Sequence, residues 1–140
     1  KLAPHKSVGY YFRALVLLYA HFDKKSKSLP KAIADISKAI TLHDQSSFYF
    51  SLRALLYRLT NQLQQAVDDY QQACSLFPSS RLYLHLASTY TLLQDSSHTL
   101  NALNKGLSLS PNCPKLLAAR FNFNQSSLNR SLAIQDASSL

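Results

Sequence analysis

The sequence predicts an all-α fold in which about 3.5 to 4 antiparallel helix pairs stack into one array over residues 1–140. Two observations support this prediction. Similar residues recur at offsets of 33 and 34, and apolar residues within each unit recur at spacings of three and four, the period of an amphipathic helix. Such a period is typical of repeat folds, in which neighbouring units cover one another's apolar faces.

The repeat is clearest where the second unit returns as the third. Similar residues 33 apart join these units: Ala54/Ala87, Tyr57/Tyr90, Ala73/Gly106, Leu76/Leu109 and Pro78/Pro111. Similar residues 34 apart join the first unit to the second: Ala32/Ala66, Asp35/Asp69, Ala39/Ala73 and Leu42/Leu76. Further upstream the offset is 40, which indicates an insertion between about Ala20 and Pro30. The predicted units are residues 7–44 with a loop insertion at 21–29, residues 47–78, residues 80–111, and a partial unit at 113–138.

Start and stop signals divide each unit into two helices. Pro30 suits the first turn of the second helix, where its missing N–H is unpaired in any case. Small polar residues that can cap helix N-termini precede later helices: Ser46 or Ser47, Ser79 or Ser80, and Ser96 or Ser97. Pro78 and Pro111 end the second helices of their units. The fourth unit is expected to have a short second helix, and its register is open because an offset of 33 aligns Phe123 with Tyr90 while 34 aligns Ala133 with Thr99.

Small residues are expected to let neighbouring helices approach closely while aromatic residues fill the space beside them. The small positions are Ala14, Ala54 and Ala87 in first helices, with Ala32, Ala66, Thr99, Ala39, Ala73 and Gly106 in second helices. The large ones are Tyr57, Tyr70 and Tyr90. This pattern indicates packing and not a cofactor site. Asp69 is expected to contact solvent or a neighbouring repeat.

The order of small, aromatic and proline positions resembles the tetratricopeptide repeat. Unit two matches best, at Ala54, Tyr57, Ala66, Tyr70, Ala73 and Pro78. Tyr10, Phe50 and Tyr83 stand where the family has tryptophan, and Asp44 stands where it has proline. The resemblance implies a right-handed α-solenoid and a non-enzymatic scaffold for protein–protein interaction, whose first helices line a concave groove.

The composition is basic and offers little catalytic chemistry. The net charge is +8, with no Glu and only two glycines, so glycine loops that cradle phosphate are excluded. No two of the five histidines stand three or four residues apart, and Cys74 and Cys113 form no metal-binding pattern. The sequence therefore predicts no enzyme activity, no metal and no cofactor, and no apolar run reaches the length of a membrane span. Cysteine usage favours an intracellular, cytoplasmic setting, with a cytoskeletal or ciliary assembly left open.

The resemblance also implies which residues line the groove. The candidates for partner binding are Tyr11, Ser51, Arg58, Arg81, His85, Ser88 and Thr91, beside the further groove positions Val8, Leu15, Leu18, Phe48, Leu55, Leu84, Leu117, Phe121 and Asn124. Arg58, Arg81 and His85 suit an acidic or carboxylate-bearing segment. A second basic candidate is the inserted loop, at Lys24, Lys25 and Lys27. The groove residues are equally compatible with a solvated surface, and the inserted loop is better explained as a solubilising loop.

One use of the fold, a carboxylate clamp for chaperone C-termini, is not expected here. The clamp of that subgroup uses two Lys, two Asn and one Arg. The corresponding residues are Tyr11, Leu15, Leu52, Arg81 and His85, of which only Arg81 has a suitable charge. A chaperone tail is therefore an unfavoured partner.

The sequence leaves three functional hypotheses. The leading one is a scaffold that holds a protein segment in its groove or forms part of a larger assembly, including further repeats of its own longer chain. The alternative is an RNA-binding or other nucleic-acid-binding helical repeat, which the basic charge supports. The third is self-association, because Leu132, Ala133 and Ile134 leave the last unit without a polar cap.

Overall fold

The structure is a computed structural model that describes residues 4–22 and 28–138. Within these ranges all regular structure is helical. The helices are α1 (Pro4–Phe22), α2 (Leu29–Leu42), α3 (Ser47–Leu59), α4 (Leu63–Leu76), α5 (Ser80–Leu92), α6 (Ser96–Leu109) and α7 (Pro114–Ser138). Successive pairs form hairpins, and the second helix of each hairpin packs on the first helix of the next. The predicted stacked all-α fold is confirmed. Lys24, Lys25 and Lys27 lie outside the described residues.

Side-chain caps mark the first turns of three helices. The Ser46 hydroxyl accepts from the Tyr49 N–H at the start of α3, and Ser79 accepts from the Leu82 N–H at the start of α5. The cap of α6 is Asp95, which accepts from the His98 N–H, so the prediction of Ser96 or Ser97 there is wrong. The carboxylate is the better acceptor because it is charged and meets the positive end of the helix dipole.

The core follows the small and aromatic positions of the repeat. Ala14, Ala32, Ala39, Ala54, Ala66 and Ala73 are all fully buried, and Ile36, Leu56 and Tyr70 pack among them. Gly106 shows why small residues are needed: a Cβ there would lie 3.0 Å from a methyl of Leu116 and 3.1 Å from the Tyr83 Cβ. Glycine therefore lets α7 and α5 approach α6 closely.

In each of the first two hairpins, a buried Asp carboxylate accepts from an arginine and so joins the two helices. Arg13 of α1 donates to Asp35 of α2, and Arg53 of α3 donates to Asp69 of α4. The expectation that Asp69 faces solvent or a neighbouring repeat is thus wrong, since its partner belongs to the same hairpin and the carboxylate is buried. In the third hairpin the equivalent positions are the apolar Leu86 and Ala102, both buried.

The fourth unit differs from its prediction. A turn and a short second helix are expected after Phe123, but α7 continues unbroken to Ser138. The turns of the second and third hairpins each need a left-handed residue, Asn61 and Gln94, both at φ 60°. Residues 124–129 include asparagine and glutamine, the residue types of those two turns, yet here they stay helical. Leu116 is the residue of α7 that is buried, and residues 124–138 are exposed. None of the helices described is both long and apolar enough to cross a bilayer.

Candidate partner-binding groove

Side chains from α3, α5 and α7 meet on one face of the array, here called the groove face. Arg58 lies in the last turn of α3, Arg81 and His85 lie in the first half of α5, and Lys115 lies at the start of α7. The charges of Arg81, Arg58 and Lys115 all act on the His85 ring. We call these four residues the basic patch.

The environment of His85 reflects both burial and this positive charge. Its ring stacks on Tyr70 of α4, with centroids 5.8 Å apart and planes inclined by 10°. Burial is the main cause of a lowered His85 pKa, and repulsion from Arg81, Arg58 and Lys115 lowers it further. Burial also raises the pKa of Tyr70, which the nearby Arg58 partly opposes. The neutral forms of both rings are therefore favoured, and the patch is positive through its Arg and Lys side chains.

The cations of the basic patch have no carboxylate partner among residues 4–22 and 28–138. Asp35 pairs with Arg13 and Asp69 pairs with Arg53, both away from the patch, and Asp95 contacts His98. Uncompensated like charges from three helices create a field that attracts anionic groups. The groove face therefore offers positive charge that no carboxylate of the described residues compensates.

A cavity of about 300 Å³ lies next to the basic patch, between α5 and α7 and over the start of α6. Its lining includes Leu84, Thr91, Thr99, Leu103, Phe123 and Arg130. We call it the α5–α7 cavity. The Thr91 hydroxyl donates to the Ala87 carbonyl at 2.9 Å, and the Thr99 hydroxyl donates to the Asp95 carbonyl at 2.7 Å. The two hydroxyl oxygens lie 3.5 Å apart, and Leu84, Leu103 and Phe123 are apolar parts of the lining, so the cavity suits an apolar group with a polar end.

The remaining predicted groove residues lie in different surroundings. Tyr11 is half-buried, and its ring packs on Tyr49 with centroids 5.2 Å apart; burial raises its pKa. The Ser51 hydroxyl donates to the Phe48 carbonyl at 3.0 Å. Ser88 lines the α5–α7 cavity with Thr91. Leu18 is buried in the core, so the prediction that it lines the groove is wrong.

Lys115 and the α7 side of the cavity are absent from the sequence-based site. Lys115 stands 34 residues after Arg81, so a register of 34 for the fourth unit identifies it as the equivalent basic position. Phe123 and Arg130 line the cavity because α7 continues as one helix. That continuity has no signal in the repeat pattern.

The described residues contain no group of three or more His, Cys, Asp or Glu side chains placed to hold a metal ion. Burial raises the pKa of the Cys74 thiol to about 11, which disfavours the nucleophilic thiolate at neutral pH.

Comparison with known proteins agrees with this architecture. The sequence profile of the tetratricopeptide repeat matches residues 49–80 and 80–113. Human tetratricopeptide repeat protein 13 is 30% identical over 88 residues, which cover 63% of this chain and 10% of that protein. The chain therefore matches about a tenth of the length of this relative.

Solved structures show the same fold. The Hsp90 co-chaperone Cns1 (delta69) of Saccharomyces cerevisiae superposes with a TM-score of 0.85 at 13% identity, covering 99% of this chain and 45% of that chain. The second TPR domain of human RPAP3, solved with the HSP70 peptide SGPTIEEVD, superposes with a TM-score of 0.76 at 17% identity, covering 87% of this chain and 98% of that domain. Tetratricopeptide repeats generally mediate protein–protein interactions and typically form non-enzymatic scaffolds. Residues 49–113 thus match two tetratricopeptide repeats, and the described residues have the fold of that family.

Proposed function

We propose that the protein is a non-enzymatic scaffold whose groove face binds an acidic segment of a protein partner. The observation that carries this proposal is the basic patch, in which Arg58, Arg81 and Lys115 converge on His85 without a paired carboxylate in the described part of the chain. A carboxylate-bearing segment supplies the missing counter-charge, and charge-assisted hydrogen bonds to arginine are among the stronger polar contacts.

The α5–α7 cavity extends this surface. Arg81 in the patch and Thr91 at the far end of the cavity are ten residues apart on α5, which is about 15 Å along the helix. An extended peptide covers that distance with roughly four to five residues. We therefore expect the bound segment to place its acidic residues on the patch and an apolar side chain in the cavity.

The chaperone-peptide complex of the RPAP3 domain supports acidic segments as ligands of this fold, since its peptide carries two Glu and a terminal Asp. In the present chain, Tyr11 and Leu15 occupy places where a chaperone-tail clamp needs Lys or Asn, and Leu52, predicted for a third such place, is buried in the core. We therefore propose an internal acidic segment and not a chaperone C-terminus. A free carboxyl terminus should add little to the affinity.

The test measures binding of two fluorescent peptides, an acidic peptide with a blocked C-terminus and SGPTIEEVD with a free one. The variant Arg58→Ala/Arg81→Ala/Lys115→Ala should weaken the blocked peptide by more than about tenfold, because each charged contact is worth about 1 kcal/mol or more. The control Lys31→Ala/Lys38→Ala/Lys105→Ala removes the same charge from exposed positions on α2 and α6. Equal losses in the two variants would show that binding follows net charge alone, and the groove proposal would fail.

The net charge of +8 supports nucleic acid as a second candidate ligand. Phosphate contacts release counterions, so the affinity for RNA should fall steeply as salt rises. Competition between RNA and the acidic peptide separates the two candidates. Micromolar RNA binding at physiological salt that the patch variant abolishes would favour the nucleic-acid function.

A further inference from the structure

One face of α1 carries a stripe of exposed apolar side chains. We call Val8, Phe12, Val16, Tyr19 and Phe22 the α1 stripe, and their exposed fractions lie between 42% and 73%. Their spacing of three and four residues places them on one side of the helix. Arg13 is the single Lys, Arg, Asp or Glu between Val8 and Phe22, and it is bonded to Asp35 of α2. The α1 stripe is therefore an uncharged apolar surface that runs along the helix.

Comparison with the next repeat shows what could cover the α1 stripe. Phe12 and Val16 stand 40 residues before Leu52 and Leu56 of α3, which belong to the core cluster that α2 and α3 share. Val8 and Tyr19 correspond in the same way to Phe48 and Leu59, which stay 72% and 39% exposed although a hairpin precedes α3. A hairpin stacked before α1 in repeat register would thus leave half of the stripe uncovered. A single helix lying along α1 covers all of it.

Gly9 provides an independent observation on the same surface. It lies inside α1, where glycine is unfavourable, and a Cβ added to it would meet nothing within 4 Å. Unlike Gly106, its lack of a side chain serves no packing within the chain. Because Gly9 has no side chain, it leaves a shallow depression next to Val8. A depression in an apolar surface can accept a large side chain from another molecule.

We propose that the α1 stripe is a dimer interface in which α1 packs antiparallel against α1 of a second copy. One antiparallel register sets Phe12 against Val16 of the second copy and Tyr19 over Gly9 of the second copy. The reciprocal contacts follow from the two-fold symmetry, so the interface is closed and no further copy can add to it. Phe12 and Tyr19 then each face a smaller residue, and Phe22 lies beside the exposed Lys6 of the second copy.

The area available is sufficient for a weak dimer. Three aromatic and two valine side chains expose on the order of 600 Å² per copy, and therefore on the order of 1,200 Å² for the pair. That is the lower limit of stable protein interfaces, which begin at about 1,200 Å². We expect dissociation in the micromolar range. The α1 stripe shares no residue with the basic patch, so dimerisation does not depend on the proposed function.

Sedimentation equilibrium of the whole chain from about 1 to 200 µM tests the proposal. The expected result is a monomer–dimer equilibrium that Phe12→Arg and Val16→Arg each shift at least tenfold towards monomer. The matched controls are Phe77→Arg and Leu109→Arg, which place the same charge on exposed apolar positions after α4 and at the end of α6. Neither control should change the equilibrium.

Gly9→Leu separates the interface from the stability of α1. Leucine should raise the helix content because it is a better helix former than glycine, yet it should weaken the dimer by filling the place of Tyr19 of the second copy. A chain that is monomeric throughout, a dimer unaffected by Phe12→Arg, or a dimer that Gly9→Leu strengthens would each overturn the proposal. Open-ended oligomers would also overturn it, because the interface proposed is closed.

Discussion

Arg53 and Asp69 form a two-pronged ion pair between α3 and α4. The Arg53 Nε donates to Asp69 Oδ2 at 2.6 Å, and its Nη2 donates to Oδ1 at 2.8 Å. A third nitrogen, Nη1, lies 3.3 Å from the Ser37 hydroxyl of α2, and the guanidinium lies over the Phe50 and Tyr57 rings. One side chain thus links a hairpin internally and to the hairpin before it.

Removing the buried carboxylate should cost stability. Asp69→Ala leaves the Arg53 guanidinium in a largely buried place without its counter-charge, and we expect the free energy of unfolding to fall by about 2–4 kcal/mol. Urea denaturation followed by circular dichroism measures the change. Asp35→Ala is the internal control, and its loss should be smaller because Arg13 is 63% exposed and can be solvated. Equal losses at the two sites would contradict this account.

Introducing the ion pair into the third hairpin should show coupling. Leu86→Arg alone buries an unpaired charge and should destabilise the fold. The double variant Leu86→Arg/Ala102→Asp places both partners 16 residues apart, as Arg53 and Asp69 are, and should recover about 1–3 kcal/mol of that loss. The four proteins of this cycle, unfolded in urea, give the coupling energy. A coupling energy near zero would show that α5 and α6 do not bring residues 86 and 102 together as α3 and α4 bring Arg53 and Asp69.

The two glycines should respond oppositely to alanine. Gly9→Ala meets no neighbouring atom and should stabilise the monomer by roughly 0.5–1 kcal/mol through helix propensity. Gly106→Ala places a methyl 3.0–3.1 Å from Leu116 and Tyr83, and we expect a net loss of about 1–2 kcal/mol. Thermal unfolding of both variants at a concentration well below dimerisation measures this. Stabilisation by Gly106→Ala would show that α7 moves aside freely.

His85 should make stability depend on pH. Its folded pKa is lowered, by burial first, so the unfolded chain takes up the proton more readily. The stability that the neutral ring contributes is complete above the unfolded value of about 6.5 and is lost as pH falls through the folded pKa. Urea unfolding at pH values from about 7.5 to 5 should show this loss, and His85→Gln should reduce it. An unchanged slope in His85→Gln would contradict this account.

Removing the end of α7 should change the stability of the fold very little. Residues 131–138 are exposed, so a chain ending at Arg130 loses no buried contact while it keeps the lining of the α5–α7 cavity. We expect the melting temperature to stay within about 2 °C of the parent, since a 1 kcal/mol loss moves it by more than this. A drop of several degrees would show that this segment packs against the array or against another molecule.

The sequence predicts the hairpins well because the small and aromatic positions that define the repeat are also the core. Ala54, Ala66 and Tyr70 are buried for the same reason that they recur. Polar contacts are harder to predict from sequence. Arg53 and Asp69 are recognised as partners only when the pairing of α3 with α4 is known. Lys115 escapes prediction because the register of the last unit has two solutions. The uninterrupted α7 escapes it because a repeat pattern describes packing within a hairpin, and α7 has no second helix beside it.

The exposed C-terminal part of α7 determines where local unfolding of the molecule should begin. In an array where units contact their nearest neighbours, local opening begins at the least supported end and advances unit by unit. Amide hydrogens of residues 124–138 should therefore exchange first, and those of α3 and α4 among the last. Ser126, Ser127 and Arg130 belong to this early-opening segment and also form one wall of the α5–α7 cavity. A ligand that occupies the cavity should slow exchange along α7 and protect it from proteases, so that binding and the fraying of this helix oppose each other.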